Sequence, residues 1–141
     1  IVMGGQGVWC GTRFIATPEA WGHDNYKNAV VQIDDEGTIR TRCFSGKPCR
    51  MLRNEWTQAW ETAGNPEPLG MPLQYMVSGM AVAATSKYPN ETVDVAFNPV
   101  GQVVGQFTKV EKSAAVIERW VSEYLEATTR LDELNEAAAR A

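Results

Sequence analysis

Histidine is all but missing from this chain: His23 is the single imidazole in 141 residues, which argues against a zinc site. Cysteine is scarce and odd in number. Cys10, Cys43 and Cys49 lack metal-type spacing and fit a reducing compartment, so the expected location is cytoplasmic. No apolar run is long enough to span a bilayer, and no signal peptide or lipidation motif is present, so no membrane partner is expected. Positive charge is also in short supply, with 13 lysines and arginines against 17 acidic residues, a net charge of −4 and a pI near 5.0. No basic stripe is available for a phosphate backbone, which argues against nucleic acid; a small anion needs only local donors. What remains, 44% hydrophobic and 21% charged residues, is the composition of a soluble globular protein.

The chain is organised around Gly4-Gly5-Gln6-Gly7-Val8-Trp9-Cys10-Gly11-Thr12-Arg13-Phe14. Gly7 to Cys10 is a compact apolar run closely flanked by glycine, which predicts a buried strand of a parallel sheet. Gly11 removes a side chain where backbone could approach a ligand, and Thr12 adds a hydroxyl beside its own amide. Thr17-Pro18-Glu19 then reads as a helix start, with Thr17 as N-cap and Pro18 at the first helical position. Amides near a helix start favour an anion. A β/α barrel holds phosphate in its last loops beside a short extra helix, and the order of elements matches. The plainer alternative is a core strand leaving through a glycine turn. Gly4 and Gly5 lack the G-x-G-x-x-G spacing of a dinucleotide site.

Further along, Asp24 is expected to cap a helix carrying Tyr26, Ala29, Val30 and Ile33 at helical spacing. Asp34 to Gly37 reads as a turn, Thr38 to Phe44 as an exposed strand, and Arg50 to Thr62 as a helix with Trp56 and Trp60 on its inner face. Asn65 to Met71 with Pro72 is a proline-rich connector. A helix from about Leu73 to Ser86 follows, with Gly79, Ala81, Ala83 and Ala84 suggesting close packing and its methionines an irregular core. Thr92 to Phe97 is a short strand or irregular turn, and Gly101 to Phe107 a short helical turn. Ser113 is the expected cap of the clearest helix, with Ile117, Trp120, Val121, Tyr124 and Leu125 as its apolar stripe.

Gly7 to Glu19 resembles the last-strand segment of the nitronate monooxygenase family, also called 2-nitropropane dioxygenases, which are FMN-dependent β/α-barrel enzymes. Arg42-Cys43-Phe44-Ser45-Gly46-Lys47-Pro48-Cys49-Arg50, Leu52-Arg53-Asn54, Trp60-Glu61, Pro72-Leu73-Gln74 and Gly101-Gln102 continue the likeness in order, to about residue 125. The resemblance implies an α/β fold, the C-terminal part of a TIM-type β/α barrel with added helices. Residues 38–90 would be a helical excursion and 113–141 the C-terminal helix. It implies FMN as cofactor, held at Trp9, Cys10, Gly11 and Thr12, and an alkyl nitronate and dioxygen as substrates. Homo-oligomerisation stays open, and no metal is implied. Residue 1 is isoleucine and a whole barrel needs about 250 residues, so the start is expected upstream. The family's general base would lie there too, leaving this part inactive alone. The rival readings are a flavin-dependent enoyl reductase of the same superfamily and a truncated, non-catalytic piece.

The other conspicuous residues have plainer readings. His23 is expected on the surface or as a cap, since a base must first have geometry. Arg42, Lys47, Arg50 and Arg53 form a basic cluster, read as solvated or ion-paired surface rather than an anion site. Gln102 is a weaker candidate for the barrel mouth. Trp56, Trp60 and Trp120 are read as core anchors. Cys10 has no visible partner to lower its pKa.

Overall fold

The computed structural model describes residues 4–34 and 36–140. The expected helix tail at Ile1 to Met3, and Asp35 of the expected turn, lie outside them. The elements run α1 (Thr12–Ile15), α2 (Asp24–Gln32), β1 (Thr38–Thr41), β2 (Cys49–Leu52), α3 (Glu55–Glu61), α4 (Leu73–Lys87), two single 3₁₀ turns (Val93–Val95 and Gln102–Gln106) and α5 (Ser113–Ala139).

The hairpin differs from the expectation. β1 and β2 pair antiparallel, with Thr38 opposite Leu52 and Thr41 opposite Cys49. The strand expected over 38–44 stops at Thr41 and is not exposed, because Thr38 and Thr41 are both buried. β2 occupies what read as the start of a helix. α3 begins only at Glu55, where Asn54 closes a reciprocal cap: its Oδ1 accepts the Thr57 amide at 3.0 Å and its own amide donates to Thr57 Oγ1 at 2.9 Å. Asn54 Nδ2 also reaches Ala96 O at 2.7 Å. An extended run lies against β2, with Leu52 donating to Asn98 O and Val100 to Arg50 O, each at 3.0 Å. Helical periodicity thus lost to strand pairing over residues 50–52, where the ladder satisfies the same backbone groups, and prevailed from Glu55 onward.

Between the strands, Gly46 has φ +83° and lies so close to the 69–71 backbone that a Cβ would sit 2.5 Å from Met71 N. Glycine is required there on both counts. The 43–44 turn is then fastened to α4 by polar residues on that helix's inner face. Buried Gln74 donates to Cys43 O at 2.7 Å and accepts from Leu69 N at 2.9 Å, and Ser78 donates to Phe44 O. Leu73, Met76, Val77 and Met80 are exposed. The methionines therefore fill no core among the described residues, and Gly79 meets only the Tyr75 ring of its own helix, at 3.5 Å. The side chains that turn inward are those with carbonyls to satisfy.

The core gathers Ala16, Val30, Leu52, Val100 and Val104, with Ile15, Tyr26, Ala29 and Phe107 packed around it. It therefore joins the end of α1, α2, β2 and the 99–107 run. α5 is long and amphipathic, yet Ile117, Val121, Tyr124 and Leu125 are exposed and only Val116 is fully buried. Trp120 is half-buried, edge-on to Phe14 with centroids 5.6 Å apart.

Candidate functional site

The segment chosen from sequence leads into α1, but not as a strand. Gly7 to Cys10 has no regular structure, and Val8 and Trp9 are exposed. A strand exists only where a neighbour takes up its amides and carbonyls, and no described segment lies beside it. The helix start is displaced as well. α1 begins at Thr12, with Gly11 in the N-cap position. Thr17, Pro18 and Glu19 form a turn in which Thr17 Oγ1 donates to Phe14 O at 2.8 Å and Ala20 donates to Thr17 O.

α1 is a single turn. Its first closing bond is Phe14 N–H to Gly11 O at 3.0 Å, so the amides of Thr12 and Arg13 precede the helical ladder, as the first donors of any helix do. Gly11 has φ −107° and nothing within 4 Å of a built Cβ. Neither conformation nor crowding among the described residues calls for glycine there. Thr12 Oγ1 accepts the Gly101 amide at 2.8 Å, which leaves its own proton to donate. A group with anionic oxygens fits these donors. Trp9 and Cys10 are exposed beside them, and neither side chain forms a hydrogen bond among the described residues.

Behind Thr12 the chain is tightly fastened. Arg13 is 5% exposed, donates to Ala16 O at 3.2 Å, forms an ion pair with Glu111, and lies 5.1 Å from the Phe107 ring centroid. Glu111 also receives Lys109 Nζ and Arg119 Nη1, each at 2.9 Å. Hydrogen bonds from Lys109, Arg119 and Arg13, in that order, outweigh burial and hold its carboxyl down at about 2. Glu19 closes the same corner. Its carboxylate accepts from both the amide and the hydroxyl of Ser113 at 3.1 Å, and these bonds, led by those to backbone amides, lower its pKa. The cap of α5 is thus Glu19, not Ser113 itself, and Lys112 stands in the N-cap position.

His23 is the N-cap of α2, its Nδ1 accepting the Asn25 amide at 3.2 Å, and Asp24 is the first helical residue. Of the basic cluster, Arg42 donates to Pro68 O at 3.3 Å, Arg50 to Thr38 Oγ1 at 2.9 Å and Arg53 to Glu36 O at 3.3 Å. These arginines brace turns instead of gathering on one anion. Gln102 is exposed at the start of its 3₁₀ turn. Trp56 and Trp60 are half-buried, 6.1 Å apart. Burial, helped by Cys49, pushes the Tyr26 phenol well above its ordinary range; burial also raises the Cys43 and Cys49 thiols, which are both free.

Sequence reading missed Gly101, Phe107 and Glu111 as the frame of this site. Arg13 lies inside the chosen stretch, but its partner is 98 positions away, and no local pattern announces such a pair.

A sequence model described as nitronate monooxygenase matches residues 1–123. A Mycobacterium tuberculosis protein named as a monooxygenase is 34% identical over 138 residues, covering 95% of this chain and 37% of that protein. The crystal structure of a nitroalkane oxidase from Streptomyces ansochromogenes superposes with a TM-score of 0.69 at 25% identity, over 86% of this chain and 33% of the other. FabK from Thermotoga maritima gives 0.64 at 22% identity, over 86% and 37%. The chain therefore spans about a third of the length of these relatives. The fold is α/β, part of a TIM-type β/α barrel with added helices.

Proposed function

The chain belongs to the nitronate monooxygenase family, and on that premise we propose that its protein oxidises alkyl nitronates with dioxygen, with FMN as cofactor and Gly11 and Thr12 at the cofactor phosphate. The observation that supports this most directly is the start of α1. Two amides ahead of the helical ladder, a threonine hydroxyl with its proton to give, and an open glycine adjoin one another. Such donors act together on an anion, because each is already oriented before the ligand arrives.

The residues of this chain have binding and orienting roles. The Thr12 and Arg13 amides and the Thr12 hydroxyl hold phosphate oxygens, while Trp9 and Cys10 line the approach with backbone and side-chain surface. Bound FMN supplies the electron acceptance and the reaction with dioxygen that side chains cannot. No residue here is assigned as general base: His23 is committed to the α2 cap, and burial disfavours the ionised forms of Tyr26, Cys43 and Cys49. We assign residues 38–90, the β1–β2 hairpin followed by α3 and α4, as an excursion from the barrel, α5 as its C-terminal helix, and the cytoplasm as the location.

The test is the visible absorption spectrum of the protein purified from its complete reading frame. A flavin band, with the FMN affinity of Thr12→Val lowered by about 1.5 to 3 kcal/mol for a lost bond to a charged group, is the expected result. A colourless protein that takes up no added FMN refutes the proposal, and unchanged affinity in Thr12→Val refutes the role of that residue.

A further inference from the structure

Glu111 is attached to α1 by both its backbone and its side chain. Its amide donates to Ala16 O at 3.2 Å, the same carbonyl that accepts Arg13 Nη1 at 3.2 Å, and its carboxylate pairs with Arg13 itself. Gly101, ten positions earlier, fixes the other end of α1 through the Thr12 hydroxyl. Between them, Phe107 lies over the Arg13 guanidinium. One continuous run, 101–111, therefore holds a single helical turn at its first residue, its middle and its end. A helix this short has little stability of its own, so its orientation is set from outside.

We infer that Glu111 is a positioning residue: through the buried Arg13 it holds the Thr12 and Arg13 amides and the Thr12 hydroxyl in the orientation that a phosphate requires. The inference rests on the reading that those donors take the FMN phosphate. Arg13, Lys109 and Arg119 converge on Glu111, with Glu123 reaching Arg119 at 3.8 Å and the Glu19 carboxylate closing the same corner on Ser113, so the charges balance and Glu111 acts by fixing where Arg13 sits. The Arg13 fork divides between Ala16 O and Glu111, which fixes its plane as well as its position; a lysine would supply the charge without the fork. Arg13 follows Thr12 directly in the chain, so a rotation of Arg13 turns the Thr12 peptide with it.

The experiment compares FMN with riboflavin, which lacks the phosphate, by fluorescence titration of the protein from the complete reading frame. The variants are Thr12→Val, Glu111→Gln, Glu111→Asp and Arg13→Lys. The expected result is a fall in the preference for FMN over riboflavin of about tenfold in Glu111→Gln, a single charged hydrogen bond's worth. Part of it should return in Glu111→Asp, with riboflavin affinity unchanged throughout. A merely structural role would move both ligands together. Should Glu111→Gln fail to fold, Arg13→Lys carries the test, with an expected fall of several-fold. The inference is overturned if folded Glu111→Gln, or Arg13→Lys in its place, keeps the full preference while Thr12→Val loses it. If Thr12→Val also keeps it, the phosphate reading itself fails, and this inference with it.

Discussion

Alanine at Gly46 separates two costs that usually come together. Gly46 and Gly64 both have positive φ, +83° and +91°, but a Cβ on Gly64 meets nothing within 4 Å, whereas on Gly46 it lies 2.5 Å from Met71 N and 2.7 Å from both Gly70 C and Leu69 O. Gly64→Ala carries the conformational penalty alone, roughly 1 to 2 kcal/mol for an L-residue in the left-handed region. Gly46→Ala adds the displacement of backbone that cannot rotate away, about 1 to 3 kcal/mol more, for a total near 2 to 5 kcal/mol. The displaced segment also contains the Leu69 amide held by Gln74, so the change strains the attachment of α4 to the 43–44 turn. The assay is urea unfolding followed by circular dichroism, comparing midpoints at constant slope. A Gly46→Ala midpoint no lower than that of Gly64→Ala would refute the close approach.

Asn54→Ala removes the α3 cap and the tie to Ala96 together, and is expected to lower stability by about 2 kcal/mol in the same unfolding assay. Glu111 titrates lower in the folded chain than its ordinary 4.5. The folded state therefore binds fewer protons between these values, and the stabilisation is complete above about 4.5 and lost as pH falls toward 2. The melting temperature should drop through that window, and the drop should be shallower in Glu111→Gln. His23→Ala loses one cap bond and is expected to cost about 1 kcal/mol of stability, while turnover of the whole enzyme stays nearly intact. A large loss of turnover with folding unchanged would return His23 to the list of bases.

The family and the α/β class were legible in the sequence because they rest on order and spacing. Gly7 to Glu19, then Arg42 to Asn54, then Gly101-Gln102 carry the resemblance by order, which does not depend on how the chain folds, and the nitronate monooxygenase model matches residues 1–123. The helix at Leu73–Lys87 and the turn near 102 were legible too, since their signals are local; at Thr92 to Phe97, which reads equally as a short strand or an irregular turn, the structure has the turn. The irregular course of Gly7 to Cys10, where a strand is expected, was not legible, because a strand is a relation between segments and an apolar pattern says nothing of whether a neighbour is present. The exposed stripes of α4 and α5 follow the same logic: periodicity marks a face to be covered and leaves open what covers it.

The sequence by itself determined the residue types at the candidate site: Gly11, with no side chain, and Thr12, with a hydroxyl. It determined as well the low count of cations and imidazoles that narrows the chemistry. The tertiary structure alone decided how those residues are held. Local signals put the helix start at Thr17; packing put it at Thr12, where Gly101 could donate to the hydroxyl and Glu111 could close on Arg13. A one-turn helix is too short for its own propensities to prevail, so contacts some 90 to 98 residues away in the chain settle its position.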